Sequence, residues 1–156
     1  MQATGSLIAM SFMPTVSSHK RVFLDTSVLV YTDDPRFPSR QDTALQLAKH
    51  HRREGTGVVS IQVLQEYFAA VTTKFKLDAL TARRKVETLC RFHVAQPDAA
   101  DVLASIDLHR LHQVSLWDVL ILRMARQSGC TLLLTEDMQP GRVIDGVRIR
   151  NPFVSE

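Results

Sequence analysis

The stretch TLLLTED, Thr131–Asp137, decides how this chain is read. Its apolar run suits a buried strand, and two acids close it at once. A second run of the same kind, VFLD, covers Val22–Asp25 and again ends on a carboxylate. A third segment, SLWDVLILRMA from Ser115 to Ala125, sets Asp118 inside residues that are otherwise almost wholly apolar. Acids placed against the most hydrophobic segments of a slightly basic protein need a physical reason.

Working outward from these runs, residues 21–25, 57–60 (GVVS), 92–96 (FHVAQ), 131–135 and 146–153 (GVRIRNPF) have strand character, rich in β-branched and aromatic residues. Helices are predicted between them. DTSV turns into a short helix that ends near TDDP, and a second helix runs from Ser39 to about Arg53. Ser60 caps a third through Lys74, with Ile61, Leu64, Phe68, Val71 and Phe75 as an apolar stripe at 3/4 spacing. Further helices cover about 78–90, 98–111 and 116–128, the last closed by Gly129 at the position after the cap. Short apolar strands alternating with helices give an α/β fold with a mainly parallel sheet.

The length of 156 residues suits one domain, placed at residues 20–156, and is enough to bury a core. Residues 1–19 carry the short apolar patch LIAMSFM with no basic residue before it. That is unlike a secretory signal, and the segment is expected to be a poorly ordered extension. No run reaches the ~18 apolar residues of a membrane span. Cys90 and Cys130 lack metal-type spacing and read as two reduced thiols of a cytoplasmic protein. The formal charge of +3 is compatible with a nucleic-acid partner without requiring one.

In a parallel sheet, ligands bind beyond the carboxyl ends of the strands. Asp25 and Asp137 lie at or just past such ends, Asp118 in the first turn of a helix, and Glu66 two turns into the helix that follows GVVS. Each has an ordinary alternative. Asp25 can be a helix N-cap. Asp118 forms S-x-x-D with Ser115, a capping box. Glu66 falls roughly 140° from the apolar stripe and can simply face solvent. Asp137 and Glu136 sit in a turn, where acids are common. As a set, four acids at one sheet edge repel one another unless a cation neutralises them. An all-oxygen donor set suits Mg²⁺ or Mn²⁺ rather than zinc.

Four motifs stand in order: VFLDTSVLVY with Asp25, SIQVLQEYFAAVTTK with Glu66, SLWDVLILRMARQSGC with Asp118, and LLLTEDMQPGRVIDGVRIRNPF with Asp137. Across about Arg21–Phe153 the chain resembles the PIN-domain family, in its VapC-type toxins of type II toxin–antitoxin pairs. The resemblance implies a three-layer α/β/α sandwich and a Mg²⁺-dependent ribonuclease with Asp25, Glu66, Asp118 and Asp137 as catalytic and metal-holding residues. It also implies a cognate antitoxin that blocks the acidic groove, and a homodimer. Thr26, Ser27 and Thr135 are candidate hydroxyls around the acids, with turn and cap roles as alternatives. Many relatives carry Asn where Glu136 stands, which adds a fifth acid here.

An acidic pocket repels RNA, so cations must surround it. Arg36, Arg40, Arg52, Arg53, Arg83, Arg84, Lys85 and Arg123 are the candidates. Two rival functions remain. A phosphatase using Asp25 as nucleophile wants a second Asp two residues on, where Ser27 stands. An RNA-binding module of the same fold without catalysis would not need all four acids. A dinucleotide-binding domain lacks its G-x-G-x-x-G.

Overall fold

The computed structural model describes residues 20–155, so the expected extension over residues 1–19 lies outside the described residues. One sheet contains β1 (Arg21–Leu24), β2 (Gly57–Ser60), β3 (His93–Ala95), β4 (Cys130–Leu134), β5 (Val143–Ile144) and β6 (Val147–Arg150). The strand order is β3-β2-β1-β4-β6-β5, and only β5 runs antiparallel to its neighbour. The helices are α1 (Thr26–Leu29), α2 (Pro38–Arg53), α3 (Ile61–Thr73), α4 (Ala79–Leu89), α5 (Ala99–His112) and α6 (Leu116–Gln127). A 3₁₀ turn over Val30–Asp33 joins α1 to the loop before α2.

The central strands are largely apolar because both faces of the sheet are covered. Val22, Phe23 and Leu24 are all buried, as are all four residues of β2. Consecutive strand residues point to opposite faces, so this pattern requires helices on each side. Phe23, Leu24, Leu133 and Leu134 are almost wholly excluded from solvent, and each contributes roughly 1.5–3 kcal/mol. The α/β sandwich expected from the sequence is therefore the fold.

The topology places the candidate site. From β1 the chain moves outward through β2 to β3, then returns to the other side of β1 as β4. The strand order thus reverses between β1 and β4, which opens a crevice at their carboxyl ends. The register pairs Leu24 with Leu134, so the next residues, Asp25 and Thr135, emerge side by side. The Asp25 N–H continues the ladder to the Leu134 carbonyl at 3.1 Å.

The expected last short strand is β6, which ends at Arg150 within GVRIRNPF, and β5 adds a hairpin arm that the sequence reading did not include. Asp145 (φ 50°) and Gly146 (φ 77°) form the two-residue turn between β5 and β6, the conformation that Asp-Gly pairs favour. The apolar stripe read on α3 is right in part: Leu64 and Val71 are buried, as are Val63 and Tyr67 outside it, whereas Ile61 and Phe68 are exposed. The helix is apolar over more than one stripe, and the face toward the sheet begins at Val63.

Candidate active site

Asp25 follows β1 and is 5% exposed. Its side chain caps α1, accepting from the Thr26 N–H at 2.8 Å, so the capping role read from sequence is real. The second carboxylate oxygen accepts from Thr135 Oγ1 at 2.7 Å and from Ser27 Oγ at 3.2 Å. All three candidate hydroxyls are at the site, since Thr26 Oγ1 donates to Glu66 Oε2 at 3.0 Å. Burial pushes the Asp25 carboxyl up to about 6, against the hydrogen bonds from Thr135 and Thr26 and with the charges of Glu66 and Asp137.

Glu66 reaches the site because α3 starts directly after β2, capped by Ser60, whose side chain accepts from the Val63 N–H. Its Oε1 accepts from Gln62 Nε2 at 2.7 Å, one turn back on the same helix. Gln62 also donates to the Trp117 carbonyl at 3.3 Å, tying α3 to the first turn of α6. Asp118 sits in that turn, with its N–H donating to Ser115 Oγ at 3.1 Å. Since α6 leads into β4, its first turn lies at the carboxyl edge of the sheet. Partial burial raises the Asp118 carboxyl, opposed by Ser115 and assisted by the Glu66 charge.

Asp137 stands at the exposed rim, its N–H bound to Thr135 Oγ1 at 3.1 Å. Partial burial raises its carboxyl, as do the charges of Glu136, Asp118 and Glu66, while Lys74 pulls it down. The fold therefore brings each of the four sequence-predicted acids within electrostatic reach of at least one other, from four separate segments.

Glu136, beside Asp137, has partners of its own. Its carboxylate accepts from Tyr31 Oη at 2.8 Å and from Arg40 Nη1 at 2.6 Å. Arg40 lies 5.2 Å over the Tyr31 ring and 5.5 Å over that of Phe153, so the terminal NPF anchors this clamp. The fifth acid arrives with its own cation. Other candidate cations are likewise held by acids, Arg123 and Arg83 among them. Arg123 bonds the buried Asp101 at 3.0 Å, on the α5–α6 pair, and Arg83 bonds Glu87 at 2.5 Å.

Sequence reasoning missed Lys74 and Gln62. A cavity of about 280 Å³ beside the acids is lined by Thr26, Ser27, Glu66, Glu136 and Asp137, and also by Lys74, Arg36 and Phe75. Glu66, Ala70 and Lys74 are spaced by four, which puts them on one helix face. Gln62 precedes Glu66 by the same spacing, so the signal for both was present.

Among the described residues, no three His, Cys, Asp or Glu side chains are close enough to chelate a single ion together. The donor set still fits a hard cation of the Mg²⁺ class, which needs only one or two direct carboxylates and keeps several waters. The mutual charge of the four acids is the load such an ion would relieve.

The PIN domain family model matches residues 22–144. The fold is similar to that of DNA-bound VapBC from Salmonella typhimurium, with a TM-score of 0.64 and 16% identity over 85% of this chain and 98% of that one. It is also similar to VapBC2 from Rickettsia felis bound to a promoter DNA fragment (TM-score 0.57, 21% identity, 83% and 97% covered). VapC20 from Mycobacterium tuberculosis, a toxin that cleaves the sarcin–ricin loop, shares the fold at a TM-score of 0.55 and 15% identity, with 74% and 89% covered. No curated protein matches the sequence.

Proposed function

The chain belongs to the PIN-domain family, and from that premise we propose that it is a Mg²⁺-dependent endoribonuclease acting as the toxin of a toxin–antitoxin pair. The observation that carries the reading is the convergence of Asp25, Glu66, Asp118 and Asp137 at the crevice between β1 and β4, where each charge bears on another of the set. Asp25 and Asp118 would hold the ion, with Glu66 and Asp137 completing the shell or orienting the attacking water. When bound, Mg²⁺ (or Mn²⁺) supplies charge neutralisation for the scissile phosphate and a water of lowered pKa. Thr135, Ser27 and the Thr26 N–H fix the Asp25 carboxylate, and Gln62 and Thr26 fix Glu66. A site whose acids are aligned beforehand needs little reorganisation during reaction.

Two proteins would meet this one. A cognate antitoxin would cover the acids, and a second copy would make a homodimer. The groove between α3 and α4, lined by Leu64, Phe68, Ala79 and Val86, offers apolar surface for either. No helix among the described residues is long and apolar enough to cross a membrane, and we place the toxin in the cytoplasm.

Expression of the chain without a partner tests the reading. Bacterial growth should arrest, purified protein should cut RNA only with Mg²⁺ or Mn²⁺, and Asp118→Ala should abolish both effects. Equal arrest by a folded Asp118→Ala protein removes the support for a ribonuclease.

A further inference from the structure

The cavity lined by Glu66 and Asp137 adjoins others. Arg36, Lys74, Phe75 and Asp34 also line a second cavity, of about 470 Å³, which extends to Lys85 and Asp33. Those last two in turn line a third, of about 240 Å³, which runs between α2 and α4 to Lys49 and Arg52. The shared lining residues set the three cavities side by side, leading away from Glu66 and Asp137.

The chemistry of this track is unlike that of its origin. Five cations line the second and third cavities, against the two carboxylates Asp33 and Asp34. Both carboxylates hold cations in place. Asp34 takes Arg36 through two bonds of 2.8 Å, and Asp33 takes Lys85 at 2.5 Å together with the Tyr67 hydroxyl. Among the described residues, Lys49, Arg52 and Lys74 have no carboxylate in ion-pair contact, so their charge faces the track. Aromatic faces lie beside the charge at the end nearest the acids. The Arg36 guanidinium lies 5.7 Å from the Phe75 ring centre and 5.8 Å from that of Phe37, which is 47% exposed.

We propose that this track binds a single-stranded segment of the RNA substrate, running from the scissile phosphate over Lys74, Phe75 and Arg36 to Lys85, Arg52 and Lys49. The inference rests on the nuclease reading for its point of origin. Cations spaced along a groove follow a phosphate backbone, and arginine-backed aromatic faces stack bases without regard to sequence. An antitoxin segment is the competing occupant. The nearness of Glu66 and Asp137 and the aromatic faces beside Arg36 favour the nucleic acid.

The test uses the full chain with fluorescent oligouridylates of about 6 and about 16 nucleotides. Turnover is blocked by Asp118→Asn, and the Lys49→Gln/Arg52→Gln pair is compared with the parent. Both residues are exposed on α2, so folding is checked simply by a matching melting temperature. The parent should bind the longer oligomer at least tenfold more tightly than the shorter. The double variant should bind the longer about tenfold more weakly. Its log K should depend less steeply on log salt by about 1.4, the value for two lost single-strand phosphate contacts. Unchanged affinity and slope in the folded double variant overturn the track, as does a loss confined to binding of a partner protein. The nuclease reading is judged separately, by cleavage with active protein and Mg²⁺. No cleavage alongside a clear Lys49/Arg52 effect sinks that reading and leaves the track, while cleavage without the effect does the reverse.

Discussion

Replacing Asp25 with Asn should stabilise the metal-free protein at neutral pH, and the amount follows from the site. Burial and neighbouring acids push the Asp25 carboxyl from its ordinary 3.8 to about 6. At about 1.4 kcal/mol per pKa unit, its ionisation costs the fold roughly 3 kcal/mol. Between those two values the native state keeps a proton that the unfolded chain has lost, so stability falls as pH rises through the interval. Below about pH 4 neither state is ionised and the cost vanishes; above about pH 7 it is complete. The amide introduced by Asp25→Asn would keep an acceptor for the Thr26 N–H. Thr135 Oγ1 and Ser27 Oγ would have to turn and accept from it, which they can do because the two hydroxyls lie 3.2 Å apart and can bond each other. Allowing about 1 kcal/mol for that rearrangement, the net gain is about 1–2 kcal/mol at pH 7.5 and none at pH 4.5. Urea unfolding in EDTA at the two pH values measures it. Added Mg²⁺ at millimolar concentration should stabilise wild type by mass action and do much less for the variant. A variant destabilised equally at both pH values, or one that gains as much from Mg²⁺ as wild type, would refute the reasoning.

Glu66→Gln keeps an acceptor for Thr26 and should alter stability by no more than about 0.5 kcal/mol, while RNA cleavage falls about a hundredfold and RNA binding holds or tightens. Cleavage and binding measured on the same folded protein decide it, and unimpaired cleavage removes Glu66 from the site. Glu136→Gln should leave the Mg²⁺-induced thermal shift nearly intact, because Arg40 and Tyr31 already engage that carboxylate; a shift reduced as far as in Asp25→Asn would place Glu136 among the ion's ligands. Gly57→Ala sets a methyl 2.5 Å from Phe92 Cδ1 against the edge of β2, and should cost about 1–3 kcal/mol in urea unfolding. An unchanged midpoint would show that the Phe92 ring gives way freely.

The parts of the fold that were legible are those in which a local signal and a tertiary position coincide. Each apolar run that ends in an acid is a buried strand arriving at the ligand-binding edge, and the Leu24–Leu134 register then makes Asp25 and Thr135 neighbours. Element boundaries read from Ser60, Asp98 and Ser115 held because those side chains do cap α3, α5 and α6. The β5–β6 hairpin was lost because β5 has only two residues, too few for alternation to register, although its Asp-Gly turn was written in the chain. The partly misread stripe on α3 has a different cause. Spacing alone finds Ile61, Leu64, Phe68 and Val71, but Val63 and Tyr67 are apolar or aromatic too. Only the packing of α3 against β2 and α4 selects Val63, Leu64, Tyr67 and Val71 for the core.

The basic residues show where sequence reasoning meets its boundary. Charge is local in sequence, but its availability to a ligand depends on which acid lies opposite. Arg123, Arg40 and Arg83 look alike in the sequence, yet each is engaged by an acid: Asp101, Glu136 and Glu87 respectively. Lys74 drew no attention because it belongs to no basic run. It matters because α3 carries it two turns beyond Glu66 on the same face, into the cavity lined by Glu66 and Asp137. The acids thus sort the cations. Those bound away from the site become structural, and Lys74, Arg52 and Lys49 keep their charge directed into one groove. A small net excess of positive charge, spread evenly, would not overcome the repulsion of four carboxylates for a phosphate backbone; gathered on one flank, it sets a direction from which the strand can approach.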